Sequence, residues 1–379
     1  MAAAVRVAGG IGKISAAAWD ACYGGDNPFV SHAFLSALER SGSAVPAAGW
    51  APAHLTVSAD GRLAGAAPLY VKSHSYGEYV FDHAWAAAFE RAGGRYYPKL
   101  QVCVPFTPVP GPRLATTPDA PPETAGLLAA GLIELAEANN FSSAHVTFAD
   151  EKDMAVLRAA GWLERRGVQY HWFNRGYGSF DDFLAALSSR KRKQMRRERR
   201  EAAESGVTVR ALTGDDLTPA HWDAFHHLYM QTAERKWGGG YLTRTFFRLL
   251  GETMADKILL VMCEDRGQWV AGALNLIGAD ALYGRNWGAD GSVPFLHFEA
   301  CYYRAIEFAN AHGLSRVESG AQGEHKLKRG YDPVPTYSAH WIVDPGFRRA
   351  VAGFLAAELD HMADATQALA TLTPYRREG

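Results

Sequence analysis

Three titratable residues, Glu324, His325 and Lys326, stand side by side where a short helix is predicted to begin directly after a strand. A carboxylate or an imidazole can take a proton from an ammonium group, and a lysine can stabilise a developing oxyanion or hold a carboxylate. The three side chains are therefore candidate catalytic groups. Structural roles remain open, because Glu324 and Lys328 form an i, i+4 pair that stabilises a helix, and a single histidine is more often structural than catalytic.

A basic segment, residues 190–200, reads R-K-R-K-Q-M-R-R-E-R-R and contains eight basic residues and one acidic residue. The rest of the chain has 31 basic and 39 acidic residues, so a mildly acidic protein concentrates its positive charge here. On a helix, Arg192, Arg196 and Arg200 lie along one face. A guanidinium group can donate two parallel hydrogen bonds to the oxygens of one phosphate. The segment predicts a site for an anionic partner, such as a nucleotide-sugar pyrophosphate or a tRNA backbone. A solvated helix face is the alternative.

In the first half of the chain, His74, Tyr76, Glu78 and Asp82 directly follow a predicted strand. Such a position usually faces a cleft, so these residues are candidates for substrate binding. Lys99 is a further candidate, because it and Arg113 flank another strand end, at Pro105, and add positive charge there. The rival interpretation is that they are ordinary turn and cap residues.

The second half offers three further candidates for substrate binding. Asn286 lies in a predicted strand, and His297 and Glu299 open a predicted helix. Glu299 would be favourable near the positive end of that helix for structural reasons alone.

Several classes of protein are excluded by what the chain lacks. It has no G-x-S-x-G motif, and Cys22, Cys103, Cys263 and Cys301 lie far apart with no C-x-x-C pairing. The cysteines indicate reduced thiols in a cytoplasmic protein and predict neither a metal site nor a nucleophile. No stretch approaches the roughly 18–20 apolar residues that cross a bilayer, and we predict no secretory signal.

The predicted elements follow the same order in both halves. Each half has a strand, two helices, a three-strand meander, a helix, a strand, a helix and a strand, which predicts an α/β protein. The expected domains are residues 1–175 and 176–379, and the second opens with the basic helix at about 188–204. Residues 62–72 are predicted as one strand and residues 296–311 as one continuous helix.

Six separated stretches of the chain carry a family resemblance: HSYGEYVFD (74–82), RYYPKL (95–100), PFTPVPGPR (105–113), SSRKRKQMRRER (188–199), LHFEACYY (296–303) and GAQGEHK (320–326) through YSAHW (337–341). In these stretches and in their order, the chain resembles the Fem-like family of predicted N-acyltransferases, relatives of the peptidoglycan aminoacyl-transferases. Arg190, Arg192 and Arg196 match a K/R-x-R-x-x-I-R segment that lines the substrate cleft in these relatives, with methionine in place of isoleucine.

The resemblance implies two tandem GNAT-like domains and an enzyme that moves an acyl or aminoacyl group to an amine on a cell-wall precursor, a peptide or a small molecule. It implies no permanently bound cofactor, with aminoacyl-tRNA or acyl-CoA as co-substrate. In GNAT proteins the fourth strand splays from the fifth, and its free amides face the acyl carbonyl. That strand is here residues 281–288, in which Gly284 and Gly288 suit a close backbone approach.

The identity of the donor depends on the loop that follows this strand. GNAT enzymes that use acetyl-CoA carry a Q/R-x-x-G-x-G/A loop whose amides hold the pyrophosphate. Residues 288–296 and 107–113 do not match it, because Asp290 would repel a phosphate and the prolines of the second segment remove amide donors. We therefore expect aminoacyl-tRNA as donor ahead of acyl-CoA.

Two other classes of protein remain as alternatives. A nucleic-acid-binding or RNA-associated protein would use the basic helix without acyl transfer, although the rest of the chain is acidic and contains no RRM, KH or zinc motif. A membrane-surface protein ranks last, because the basic helix lacks a broad apolar face.

Overall fold

The structure is a computed structural model that describes residues 3–320, 323–370 and 374–376, leaving out the side chains at positions 237, 324, 360, 361 and 363–370. The strands are β1 (Ala4–Ala8), β2 (Trp50–Pro52), β3 (His54–Ala59), β4 (Arg62–Ala67), β5 (Leu69–Lys72), β6 (Lys99–Val102), β7 (Ala115–Thr116), β8 (Ser143–Ala149), β9 (Leu163–Phe173), β10 (Thr208–Leu212), β11 (Ile258–Asp265), β12 (Gln268–Ile277), β13 (Ala281–Ala289), β14 (Arg316–Glu318) and β15 (Asp332–Ile342). The helices are α1 (Ala16–Tyr23), α2 (His32–Arg40), α3 (His83–Arg91), α4 (Thr124–Ala138), α5 (Glu151–Ala159), α6 (Phe180–Ala186), α7 (Ser189–Glu204), α8 (Pro219–Trp237), α9 (Arg244–Thr253), α10 (Leu296–Phe298), α11 (Arg304–Ala311) and α12 (Pro345–Ala370).

The first compact unit is formed by Met1–Gly167 and Pro335–Asp364. One of its sheets is antiparallel, with the strand order β1-β3-β4-β7. Its other strands pair in the order β2-β5-β6-β8-β15, antiparallel except for the parallel pair β6 and β8. Helices α4 and α5 complete a core whose fully buried members include Leu55, Leu69, Leu128, Val146 and Leu157.

Residues 62–72, which were predicted as one strand, form two strands of different sheets. β4 ends at Ala67 and β5 begins at Leu69. Pro68 separates them, because proline has no N–H to continue a ladder of hydrogen bonds. The carbonyl oxygen of Pro68 instead accepts a hydrogen bond from the amide of Cys103 at 3.1 Å. The prediction of a single strand was therefore wrong.

The second compact unit is formed by Val168–Val334 and Ala365–Gly379. Its strands pair in the order β10-β11-β12-β13-β14-β9, antiparallel except for the parallel pair β13 and β14. Helix α8 packs closely on β13, since a Cβ on Gly288 would lie 2.4 Å from the amide nitrogen of Tyr229. Gly288, which was expected to suit a close backbone approach, thus leaves room for the backbone of a helix.

The chain between residues 335 and 364 packs with the first unit, whereas the sequence analysis placed it in the second domain. β15 pairs with β8, so that His340 lies opposite His145. Ile342 and Val351 join Trp85 in a buried apolar cluster. These contacts join residues that are 195 or more positions apart, which a division of the sequence into consecutive halves does not anticipate.

The helix predicted over 296–311 is interrupted. It consists of α10, one π-helical turn at Glu299–Tyr303 and α11. Helices α3 and α12 were not predicted from the sequence. No helix in the described ranges is both long enough and apolar enough to cross a membrane.

Candidate active site

The parallel strands β13 and β14 separate within the sheet of the second unit. They pair from Ala281 to Tyr283 on β13, and among the described residues the pairing ends at Glu318 on β14. β13 continues to Ala289 with a β-bulge at Arg285, where its register with β12 shifts by one residue. Backbone groups of β13 beyond Tyr283 therefore face a gap, which is the geometry that the GNAT resemblance predicts.

Two cavities adjoin this gap. Trp287 and His297 each line both of them. The smaller cavity has a volume of about 90 Å³, and its other lining residues include Asn275, Gly284, Asn286, Tyr302 and Ser319. The larger cavity has a volume of about 470 Å³, and its other lining residues include Thr232, Arg235, Lys236, Asp290 and Ser292.

Two of the predicted catalytic residues lie beside the smaller cavity. The hydroxyl of Tyr302, which lines that cavity, is 2.9 Å from Nε2 of His325. The ammonium of Lys326 donates to the carbonyl oxygens of Ser319 and of the next residue at 2.6 and 3.0 Å. Both carbonyls directly follow β14, so Lys326 is anchored where the two strands separate. The side chain of Glu324 lies outside the described residues.

Burial sets the protonation states of these groups. It lowers the pKa of Lys326 to about 8, so this ammonium loses its proton far below the pH at which a free lysine does. Burial also lowers the pKa of His297 to about 4, with further contributions from His325, Lys236 and Arg329. The pKa of His325 is likewise lowered by burial and by neighbouring cations. Both imidazoles are therefore neutral near pH 7.

The predicted substrate-binding residues of the second unit have different environments. Asn286 and His297 line the smaller cavity. Glu299 is buried, and its carboxylate accepts hydrogen bonds from Arg199 at 2.9 and 3.0 Å and pairs with Arg304 at 2.9 Å. Glu299 thus ties α7 to α11, a structural role different from the helix-end role that the sequence left open.

Helix α7 carries the three predicted arginines. Arg196 is largely exposed and pairs with Asp181 at 3.2 Å. Arg192 donates a long hydrogen bond of 3.5 Å to the carbonyl oxygen of Leu187. Arg190 is exposed and has no ion pair in the described part of the chain. None of the three lines either of the two cavities, so their role in anion binding stays a prediction.

The opposite face of α7 is fixed to the turn that carries His325. The buried carboxylate of Glu198 accepts hydrogen bonds from Arg329 at 3.0 and 3.2 Å and from the hydroxyl of Tyr303. Arg329 stacks on the ring of Phe298 at 3.3 Å and donates to the carbonyl oxygen of His325 at 3.0 Å. The basic helix and the predicted catalytic turn are therefore one connected substructure.

Three predicted substrate-binding residues of the first unit form a buried ionic cluster. Lys99 donates to Glu78 at 2.7 Å and also bonds Asp82. Their exposed fractions are 0%, 3% and 2%, respectively. Asp82 accepts a further hydrogen bond from Tyr96 at 2.6 Å, and Lys72 lies 3.7 Å from Glu78. From the sequence, Glu78 and Asp82 were expected together and Lys99 at another strand end, and Tyr96 and Lys72 were not expected at all.

Burial and the charges of neighbouring members shift the pKa values of the groups in this cluster. Burial raises the pKa of Glu78 to about 7 and lowers that of Lys72 to about 7. Although burial opposes a charge on Lys99, its two carboxylate partners raise its pKa. Lys99 in turn keeps the pKa of Asp82 below its ordinary value against the effect of burial. The cluster is therefore an internal support with one firmly charged lysine.

His74 and Tyr76 lie at the outer side of this cluster. The side chain of Tyr76 is 59% exposed, and its ring centroid lies 5.2 Å from that of His74. Nδ1 of His74 accepts from the amide of Tyr76 at 3.2 Å and lies 3.4 Å from Nζ of Lys72. These two residues are the predicted members of the group that a ligand can reach most directly.

Two further features gave no usable signal in the sequence. Tyr302 lies in a stretch that resembles the Fem-like family, but its place beside the cavity depends on the π-helical turn that contains it. His145 and His340 face each other across β8 and β15, with their Nδ1 atoms 2.7 Å apart. Their proximity follows from strand pairing over 195 positions.

A two-unit α/β chain whose parallel strands separate around a cavity has the fold of a tandem GNAT-type protein. The chain belongs to the FemAB-like family, whose model, described as peptidoglycan biosynthesis/recognition, matches residues 10–377. The predicted family and fold class are thus confirmed, and the family supports an acyl or aminoacyl transferase. A comparison with curated protein sequences gave no match.

Solved structures with the same fold cover nearly the whole chain. A crystal structure of FemX is 12% identical, with a TM-score of 0.56, covering 89% of this chain and 98% of that one. L-PGS from Bacillus licheniformis is 12% identical, with a TM-score of 0.51 and coverages of 90% and 96%. A conserved protein of unknown function from Bacteroides thetaiotaomicron is 13% identical, with a TM-score of 0.52 and coverages of 89% and 99%. At these identities the similarity concerns the fold.

Proposed function

We propose that this chain is an N-acyltransferase that moves an acyl or aminoacyl group from an activated donor to an amine. The observation that supports this most strongly is the gap between β13 and β14, with the smaller cavity beside it. A carbonyl group bound there meets preorganised backbone donors, which stabilise an oxyanion as it develops.

Lys326 supplies positive charge to this site in the proposed reaction. Its ammonium already donates to two carbonyl oxygens at the end of β14, which fixes its position beside the gap. A protonated lysine so placed stabilises the tetrahedral oxyanion more than the neutral carbonyl of the bound donor, and such differential stabilisation lowers the barrier. A neutral imidazole, from His325 or His297, is available to take the proton of the amine.

Aminoacyl-tRNA is the donor that we favour over acyl-CoA. Asp290 lines the larger cavity, where its carboxylate disfavours a pyrophosphate. Arg235, on the same wall, donates to the carbonyl oxygen of Ala289 and so is partly engaged within the protein. The exposed arginines of α7 offer the positive surface that a tRNA backbone requires. With such a donor the reaction takes place in the cytoplasm.

A cell-wall precursor is the acceptor that the family description suggests. Its nucleotide-linked form carries a pyrophosphate, which suits the guanidinium groups of α7. A peptide or small-molecule amine has the same reacting group and is accommodated by the same chemistry.

The proposal is tested by incubating the purified protein with alanyl-tRNA or acetyl-CoA and a UDP-linked muramoyl pentapeptide that contains lysine. We expect mass spectrometry to show the gain of one alanyl group, and no gain with Lys326→Met. Calorimetry with acetyl-CoA is expected to show weak binding, and a micromolar Kd would make acyl-CoA the donor instead. Salt-dependent binding of bulk RNA without transfer from either donor would favour the RNA-associated alternative.

A further inference from the structure

His297 occupies a stretch of irregular backbone between the two cavities. The chain enters α10 through Phe295, whose φ of 61° is in the left-handed region that a bulky side chain rarely adopts. It leaves α10 through the π-helical turn Glu299–Tyr303. Strained residues and π turns are costly and concentrate at functional sites. Here they turn two side chains of one short segment, His297 and Tyr302, toward the smaller cavity.

The imidazole of His297 packs against aromatic rings, and no described residue forms a hydrogen bond with it. Its centroid lies 5.2 Å from that of Trp287 and 5.4 Å from that of Tyr302, with interplanar angles of 76° and 88°. No described residue forms a hydrogen bond with its ring nitrogens. His325 differs, because its Nε2 is already engaged with the hydroxyl of Tyr302 at 2.9 Å. Among the described residues, nothing occupies the lone pair of His297, which is therefore available to a ligand.

The surroundings of His297 keep it neutral. Burial, followed by the nearby His325, Lys236 and Arg329, lowers its pKa to about 4. The lone pair is therefore present at every pH from about 5 upward.

We propose that His297 is the general base of the transfer reaction. This inference rests on the proposed function. The neutral amine attacks the donor carbonyl carbon, so that a C–N bond forms and the nitrogen becomes positively charged. Its surplus proton moves to the ring nitrogen of His297. The C–O bond of an ester donor, or the C–S bond of a thioester, then breaks, and the departing oxygen or sulfur takes the proton from His297. The imidazole is regenerated, and no further reactant is needed.

The test compares His297→Asn with His312→Asn as the matched control, since His312 is an exposed histidine at the end of α11. For His297→Asn we expect kcat to fall about 100-fold or more with KM within threefold, as for loss of a general base. Added imidazole is expected to restore part of the activity of His297→Ala. His312→Asn is expected to keep the wild-type kcat and KM.

The outcomes separate this inference from the proposed function. If wild-type protein transfers a group and His297→Asn keeps kcat within threefold, His297 is not the base and the transferase assignment stands. If the wild type transfers nothing from either donor, both are overturned. Should His297→Asn fail to fold, diethyl pyrocarbonate is applied to the wild type and the modified histidines are mapped. Activity is then expected to disappear in step with modification of His297, and its survival would contradict the inference.

Discussion

At the scale of single residues, the local partners of a buried lysine decide whether it is a fixed ion or a titrating group. Lys99 has two carboxylate partners, which compensate for its loss of water. Lys326 donates only to carbonyl oxygens in the part of the chain that the structure describes, and no described carboxylate forms an ion pair with it. Lys99 therefore remains charged, whereas Lys326 titrates at a pH of about 8.

This difference predicts the pH dependence of transfer. Because the proposed role of Lys326 requires its proton, we expect kcat to fall as the pH rises above about 8. In Lys326→Arg the charge persists to much higher pH, so the decrease at alkaline pH should disappear even if the rate is reduced. The measurement is kcat between pH 6 and 10 for both proteins. If kcat of Lys326→Arg decreases above about pH 8 in the same way as that of the wild type, another group causes the decrease.

The same shift has a consequence for stability, whose sign follows from proton binding. Folding lowers the pKa of Lys326 from 10.5 to about 8, so between these values the unfolded chain binds more protons than the folded chain. The contribution of Lys326 to the free energy of unfolding therefore rises with pH across this window. Lys326→Met removes this contribution. Between pH 7.5 and 9.5 the free energy of unfolding of the variant should therefore rise less than that of the wild type, as measured by chemical denaturation.

At the scale of the element, helix α7 has two faces with different roles. Its inner face contains Glu198, which binds Arg329 and thereby supports the turn with the predicted catalytic residues. Its outer face is basic, but its arginines differ in their partners. Arg197 and Arg200 pair with glutamates one turn further along the same helix, at 3.3 and 3.7 Å. The net positive charge of the outer face therefore depends on the residues nearer the start of the helix.

We predict that Arg192→Ala with Arg196→Ala weakens binding of an anionic probe. Fluorescence anisotropy with labelled tRNA should show a higher Kd for the double variant. The slope of log Kd plotted against log salt concentration should also be smaller by about 1–2, because about one counterion fewer is released for each phosphate contact that is lost. Neither side chain belongs to the core, so the thermal unfolding temperature should stay close to that of the wild type.

The matched control for this pair is Arg197→Ala with Arg200→Ala, which removes the same charge from the same helix. Because each of these arginines is compensated by a glutamate within the helix, we expect a smaller change in Kd. Equal effects of the two double substitutions would mean that only total charge matters and that α7 has no defined anion site.

At the scale of the whole chain, the first unit is completed by residues that follow the second. β15 pairs with β8 over six positions, from Tyr337 to Ile342. Ala339 is fully buried in the main core of the first unit, and Val351 and Leu355 are buried in its smaller cluster. The two units are thus intertwined in sequence, so the chain cannot be cut into two consecutive, self-sufficient halves.

This topology predicts the result of truncation. A chain that ends at Val334 should lose the native structure of the first unit, because β8 loses its partner and the core is left open. Limited proteolysis followed by mass spectrometry should then show rapid cleavage within residues 3–167. A chain that ends at Asp364 keeps all residues of that unit and loses only the last turns of α12, so it is the control, expected to be protected there. Equal protection of both chains would contradict the assignment of residues 335–364 to the first unit.

The sequence by itself determined the α/β class, the order of most elements and the family. These depend on local signals that are read along the chain, namely periodicity and stretches such as 296–303. It also indicated His325, Lys326 and His297 as site residues, since titratable groups directly after a strand or at a helix start mark such positions.

Only the tertiary structure decided which of these residues work together and which are structural. The sequence indicated Glu299 as a candidate for substrate binding, and in the structure its carboxylate forms ion pairs with Arg199 and Arg304. Tyr302 acquired its place beside the cavity through a π turn, and the first unit acquired β15 through pairing with β8. The physical reason is the same in each case. Burial and partner geometry depend on contacts between residues far apart in the chain, and a linear pattern does not contain those distances.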